Sequence, residues 1–169
     1  MRVYVPATVS MLRSLVDTGE LTPVSGTAFA LTPALREAYN AGDSEELEYA
    51  AMLEAARASL RLLAAELDAE TDEPVPPRRA VVAADVDGVT LRPDLDFAVV
   101  RLAGPVPSSS VAAVHLDDPD AADAVRAAAA VIDNADLGDS DAEFTVDGAE
   151  GHELGWYAPQ ELPFLLELM

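Results

Sequence analysis

Residues 79–116 read RAVVAADVDGVTLRPDLDFAVVRLAGPVPSSSVAAVHL, and this stretch decides the fold class. Val-rich segments at 79–86, 89–91, 97–103 and 111–116 follow one another with turn or loop chemistry between them and no helical period. Asp87-Gly88 is a tight-turn signal, with 89–91 as the return strand of a hairpin. Gly104 to Ser110 is rich in Pro and Ser and reads as loop. Consecutive strands without intervening helices form a mixed or antiparallel sheet, because a parallel pair needs a long crossover.

Upstream, Arg2 to Ala7 alternates as a strand, with Val3 and Val5 on one face and Tyr4 on the other. Pro6 lies near its end, since proline cannot donate to a sheet ladder. Thr8 can cap a helix through Met11, Leu12 and Leu15 that stops at Gly19. A short strand over 27–31 and a helix opened by Thr32-Pro33, ending near Asn40, follow. The clearest helix runs from about Ser44 to Leu67. Asp43 and Glu46 form its capping box. Tyr49, Met52, Leu53, Ala56, Leu60, Leu63, Ala64 and Leu67 make its apolar stripe. Asp68 to Pro77 is an acidic, proline-containing loop.

Downstream, Asp118-Pro119 opens a helix through Val125, Ala129 and Ile132. Glu143 to Val146 and His152 to Tyr157 read as two strands joined by Asp147–Gly151. Pro159 opens a short terminal helix bearing Leu162, Phe164 and Leu165. This order predicts a single α+β domain over 1–169, with helices on one face of the sheet and a ferredoxin-like core with additions.

Composition bounds the chemistry. Of 169 residues, 10 are Arg and none is Lys, against 31 acids, giving a net charge of −21. A basic face for nucleic acid is missing, so no direct nucleic-acid binding is expected. Docking on an anionic membrane is equally disfavoured. The absence of Cys and Lys removes thiol nucleophiles, disulfides, Cys-type metal sites and Schiff-base chemistry. No leader-like or membrane-spanning run occurs, which predicts a cytoplasmic protein. Residues 106–169 hold only Arg126 against 14 acids. Such a surface repels polyanions, meets basic partners, or imitates nucleic acid as a decoy for its binding proteins.

Three constellations carry candidate chemistry. Asp85 and Asp87 form an Asp-x-Asp-Gly after an apolar strand, which resembles how haloacid dehalogenases present a nucleophile and an acid beside Mg²⁺. That pattern needs a downstream Lys or Arg to hold the phosphoryl group, and here no Lys exists, only 82 residues follow Asp87, and the strands that follow are not spaced by helices. His115, at the end of a predicted strand, and Asp117 two residues on share one strand face and could act as an acid–base pair. Asp139, Asp141, Glu143, Asp147 and Glu150 match offsets 1, 3, 5, 9 and 12 of a Ca²⁺-binding loop, but Phe144 stands where that loop needs Gly. Neither histidine belongs to a zinc signature, and no phosphate-cradling glycine loop is present, so no cofactor is expected. Trp156-Tyr157 either closes a core or forms a dimer face.

Several segments together resemble a family of uncharacterised actinobacterial proteins classed as a domain of unknown function. They are MRVYVPAT at 1–8, GTAFALTPALREAY at 26–39, EELEYAAMLEAARASLRLL at 45–63, RRAVVAADV at 78–86, VAAVHLDD at 111–118 and HELGWYAPQEL at 152–162. The resemblance implies a cytoplasmic single-domain protein and transfers no catalytic residue. The sequence reading that results is a non-catalytic binding or regulatory protein, acting on a second copy of itself or on another protein. The alternatives are a small metal-dependent hydrolase and the acidic decoy.

Overall fold

The structure is a computed structural model that describes residues 1–39, 41–69 and 72–169. The helix end expected at Asn40 and residues 70–71 of the expected loop lie outside the described residues. Strand β1 (Arg2–Ala7) is central. It pairs antiparallel with β3 (Thr27–Phe29) on one side and β4 (Ala80–Asp85) on the other. Outward from β3 lie β6 (Val99–Leu102) and β5 (Val89–Leu91). Outward from β4 lie β8 (Val111–Leu116) and β9 (Gly155–Tyr157). Every neighbouring pair is antiparallel. A two-stranded ribbon joins β2 (Glu20–Leu21) to β7 (Val106–Pro107), inside segments that carry no strand signal.

The link from β4 to β5 bends the sheet. Asp87-Gly88 does not make a hairpin, because β5 pairs with β6 at the far edge. Four strand spacings of a flat sheet are about 19 Å. The four Cα–Cα steps from Asp85 to Val89 reach about 15 Å at most. The sheet must therefore curl until its two halves approach. Val86 and Val89 accordingly pack in the same core as Val82 and Val114. Gly88, at φ 69°, supplies the left-handed turn.

The alternation of β1 divides the core. Val3, Val5 and Ala7 join Val82, Val100 and Val114 beneath helix α1 (Val9–Thr18), through Leu12 and Leu15. Leu162 of the terminal helix α6 (Leu162–Glu167) closes the same layer. On the opposite face Tyr4, Phe29, Val81 and Ala83 meet helix α3 (Ser44–Asp68), and Leu35 of α2 (Pro33–Ala38) joins them. The class is α+β, but helices cover both faces of the sheet. Of a ferredoxin-like core the chain keeps one split β-α-β unit, β3 and β4 straddling β1. Helix α1, by contrast, leads to the strand beside β1.

Caps fix the helix starts. The Thr8, Thr32 and Asp43 side chains accept from the backbone N–H of Met11, Leu35 and Glu46. Thr32 also donates to the Phe97 carbonyl. Of the expected stripe of α3, Met52, Ala56, Leu60 and Leu63 are buried, whereas Tyr49, Leu53 and Leu67 are exposed, and Ala51, Ala55, Ala58 and Ser59 are buried in addition. These small residues let the helix lie close on the sheet.

The C-terminal half of α3 serves a third layer. Leu60 and Leu63 pack against α4 (Ala122–Asp136) and α5 (Ser140–Glu150) through Val125, Ile132 and Val146. The strand expected over 143–146 is thus helical. Asp139 caps it by accepting from the Ala142 N–H at 2.9 Å, and Ala142, Val146 and Ala149 recur on its buried side. Among the described residues no helix is long and apolar enough to cross a membrane.

Candidate functional site

Asp117 is 1% exposed and Arg79 2%. Arg79 Nε and Nη2 donate to the two Asp117 carboxylate oxygens, both at 2.8 Å, and the Arg79 backbone N–H donates to Oδ2. Arg79 Nη2 also donates to the His152 carbonyl at 2.7 Å. The pair therefore ties the start of β4 to the end of β8 and to the chain entering β9. The candidate His115–Asp117 pair is not brought together. β8 ends at Leu116, so Asp117 leaves the strand's alternation and is taken by Arg79. Arg79 carried no signal beyond its position, a charge at the mouth of an apolar strand.

His115 remains on the α3-side face, half-buried, opposite Val81 on β4 and Trp156 on β9. Burial pushes its pKa down, and the nearby Arg2 guanidinium adds to this. Helix α3 lies chiefly over β1, β3 and β4, and toward the edge this face opens from buried Ala113 through half-buried His115 to Trp156. Trp156 stands on that strip 63% exposed, at the edge of the sheet. Its neighbour Tyr157 turns the other way and packs against the α1-side core.

Asp85 receives Arg2 Nε at 2.8 Å and Nη2 at 3.0 Å, and these bonds hold its carboxyl below the usual range. Asp87 is exposed and lies on the same open depression of about 360 Å³, with Met1, Pro105, Pro107 and Ser110 around it. The Met1 ammonium donates to the Val86 carbonyl there. A metal at this point would compete with two fixed cations for Asp85.

The candidate Ca²⁺ ligands over 139–150 lie on helix α5, which spreads its acids around a cylinder. Asp139 is a cap. Glu143 and Glu150 turn toward α3, where Arg57 binds both, at 2.6 and 3.3 Å. Arg57 and Arg61 also share Asp136, whose carboxyl the Arg61 hydrogen bond pulls down in pKa. Asp141 and Asp147 face solvent. Among the described residues no group of three or more His, Asp or Glu is arranged to hold a metal ion.

No curated protein and no solved structure matches this chain. One family model does, described as a family of unknown function, over residues 1–166. With nearly its whole length matched, the chain belongs to that family, DUF6912.

Proposed function

We propose that this is a cytosolic, non-catalytic binding protein that works through a protein surface, and that strand β9 with Trp156 is the centre of a self-association face. The observation that carries the reading is the exposed Trp156 on an edge strand. A bare edge presents unpaired backbone groups, and a large aromatic beside it is a preferred interface anchor. The paired strands β8 and β9, Val111–Leu116 and Gly155–Tyr157, carry no Asp, Glu or Arg on a chain of net charge −21, which suits contact between two copies. Two β9 strands related by a two-fold axis would pair antiparallel and stack their indoles over His115.

Trp156 is the one tryptophan, so its fluorescence reports on this face alone. Sedimentation equilibrium read together with the emission maximum tests the reading. A dimer whose emission moves to the blue as it forms, and which Trp156→Ser returns to monomer, is the expected result. A wild-type protein that stays monomeric with solvent-like emission at high micromolar concentration overturns it.

One observation favours a second reading, a metal-dependent hydrolase: Asp85 and Asp87 line the same depression. Melting in Mg²⁺, Mn²⁺, Ca²⁺ or EDTA at matched ionic strength decides it. A site filled at 100 times its Kd adds about 2.7 kcal/mol. Equal shifts with every ion discard the hydrolase.

A further inference from the structure

Helix α5 buries Ala142, Val146 and Ala149, and its outer side is the unusual one. Ser140, Phe144, Gly148 and Gly151 follow at spacings of four, four and three, which places them along one ridge. Phe144 is 80% exposed at the middle of that ridge, and Leu137, 85% exposed, lies in the turn before it. Asp141 and Asp147, three residues before and after Phe144, stand to either side of the ridge. Glu143 and Glu150 on its inner side, and Asp136 at the end of α4, are ion-paired to Arg57 and Arg61. Asp141 and Asp147 have no ion-pair partner among the described residues.

Gly148 is the second observation, independent of the first. It sits inside the helix without the left-handed φ that calls for glycine. A Cβ built there meets no atom within 4 Å. Alanine would fit and would favour the helix, so within this molecule the glycine only weakens α5. A bare helix surface one turn from an exposed aromatic gains a purpose when another backbone lies close over it.

We infer that the outer face of α5 is a docking surface for a basic amphipathic helix. Its apolar ridge lies on Phe144 and crosses closely at Gly148, and its Lys or Arg side chains reach Asp141 and Asp147. Charge selects this occupant over a second copy. Two α5 faces brought together would set Asp141 and Asp147 against their own duplicates, on molecules of charge −21 each. The surface is separate from the β9 strip and stands whether or not the protein dimerises there.

The probe is a fluorescein-labelled Leu/Ala/Lys peptide with helical amphipathic spacing, and its control is a scrambled peptide of the same composition. Anisotropy at about 0.15 M salt, where long-range attraction is damped, reads the affinity. The amphipathic peptide should bind at least about tenfold tighter than the scramble, and Phe144→Ser should remove about tenfold. Gly148→Ala should raise the Tm by about 2–4 °C. Gly148→Leu should weaken binding without lowering the Tm, and Phe164→Ser, an exposed aromatic on α6, should change nothing. Equal affinity for the scramble, or an unchanged Phe144→Ser, means charge attraction alone and overturns the inference. So does the absence of binding by either peptide, or a Gly148→Ala protein that melts earlier.

Discussion

Asp117 holds a guanidinium and a backbone amide out of water and, through Arg79, is linked to the half-buried carbonyl of His152, 73 residues further along the chain from Arg79. Removing one member of such a pair leaves the other charged and uncompensated, which costs about 3–5 kcal/mol. That is a large share of the roughly 5–15 kcal/mol by which a domain is stable. Asp117→Ala should therefore shift the urea midpoint strongly downward. The double change Arg79→Met with Asp117→Leu should recover much of the loss, because it removes both charges together. A double variant no better than the single would mean that the bond to His152 matters more than the pairing. The sequence reading matched Asp117 with His115 because two residues on a strand share a face. The true partner is 38 residues away, and only the β4–β8 register brings it near. Local spacing shows which residues share a face while a strand lasts, but not where the strand ends.

At the level of elements, capping residues were the readable signals. Thr8, Thr32 and Asp43 each mark a helix start in the sequence and each makes the bond that the position requires. Asp139 was passed over as a cap because Glu143 to Val146 reads as a strand and Asp147–Gly151 as a hairpin-like connection. What decides the segment is tertiary: Ala142, Val146 and Ala149 find Val125 and Ile132 of α4. A helix held mostly by packing should still feel its cap. Asp139→Ala should lower stability by about 0.5–2 kcal/mol, measured by urea unfolding. An unchanged midpoint would show that α5 owes nothing to its N-terminus. The apolar stripe of α3 was half legible: Met52, Ala56, Leu60 and Leu63 are buried, but Tyr49, Leu53 and Leu67 are not, because close contact with the sheet takes Ala51, Ala55 and Ser59 instead. Ser59 gives that side a use of its own, donating to the Ala7 carbonyl and accepting from the Ala80 N–H.

For the whole molecule, charge and strand order are the governing quantities. A net charge of −21 makes the compact state repel itself, and salt relieves this as the screening length falls from ~30 Å at 0.01 M to ~3 Å at 1 M. The exposed pair Arg2–Asp85 works in the opposite sense, but exposed pairs contribute little. Raising NaCl should therefore raise the Tm, as calorimetry would record, and a steady fall would mean that ion pairs outweigh repulsion. The α+β class was legible from consecutive strands. The strand order was not, because pairing partners are set by how the sheet curls and not by any local pattern. One consequence of that order concerns synthesis. The first strand made is the central one, and its longest ladder is to residues 80–85. At 5–20 residues per second, roughly 4–16 s pass on the ribosome before that ladder can begin to form. During that interval β1 has only the short β3 to pair with. A nascent chain of this design keeps one edge of its central strand open until its middle has been translated.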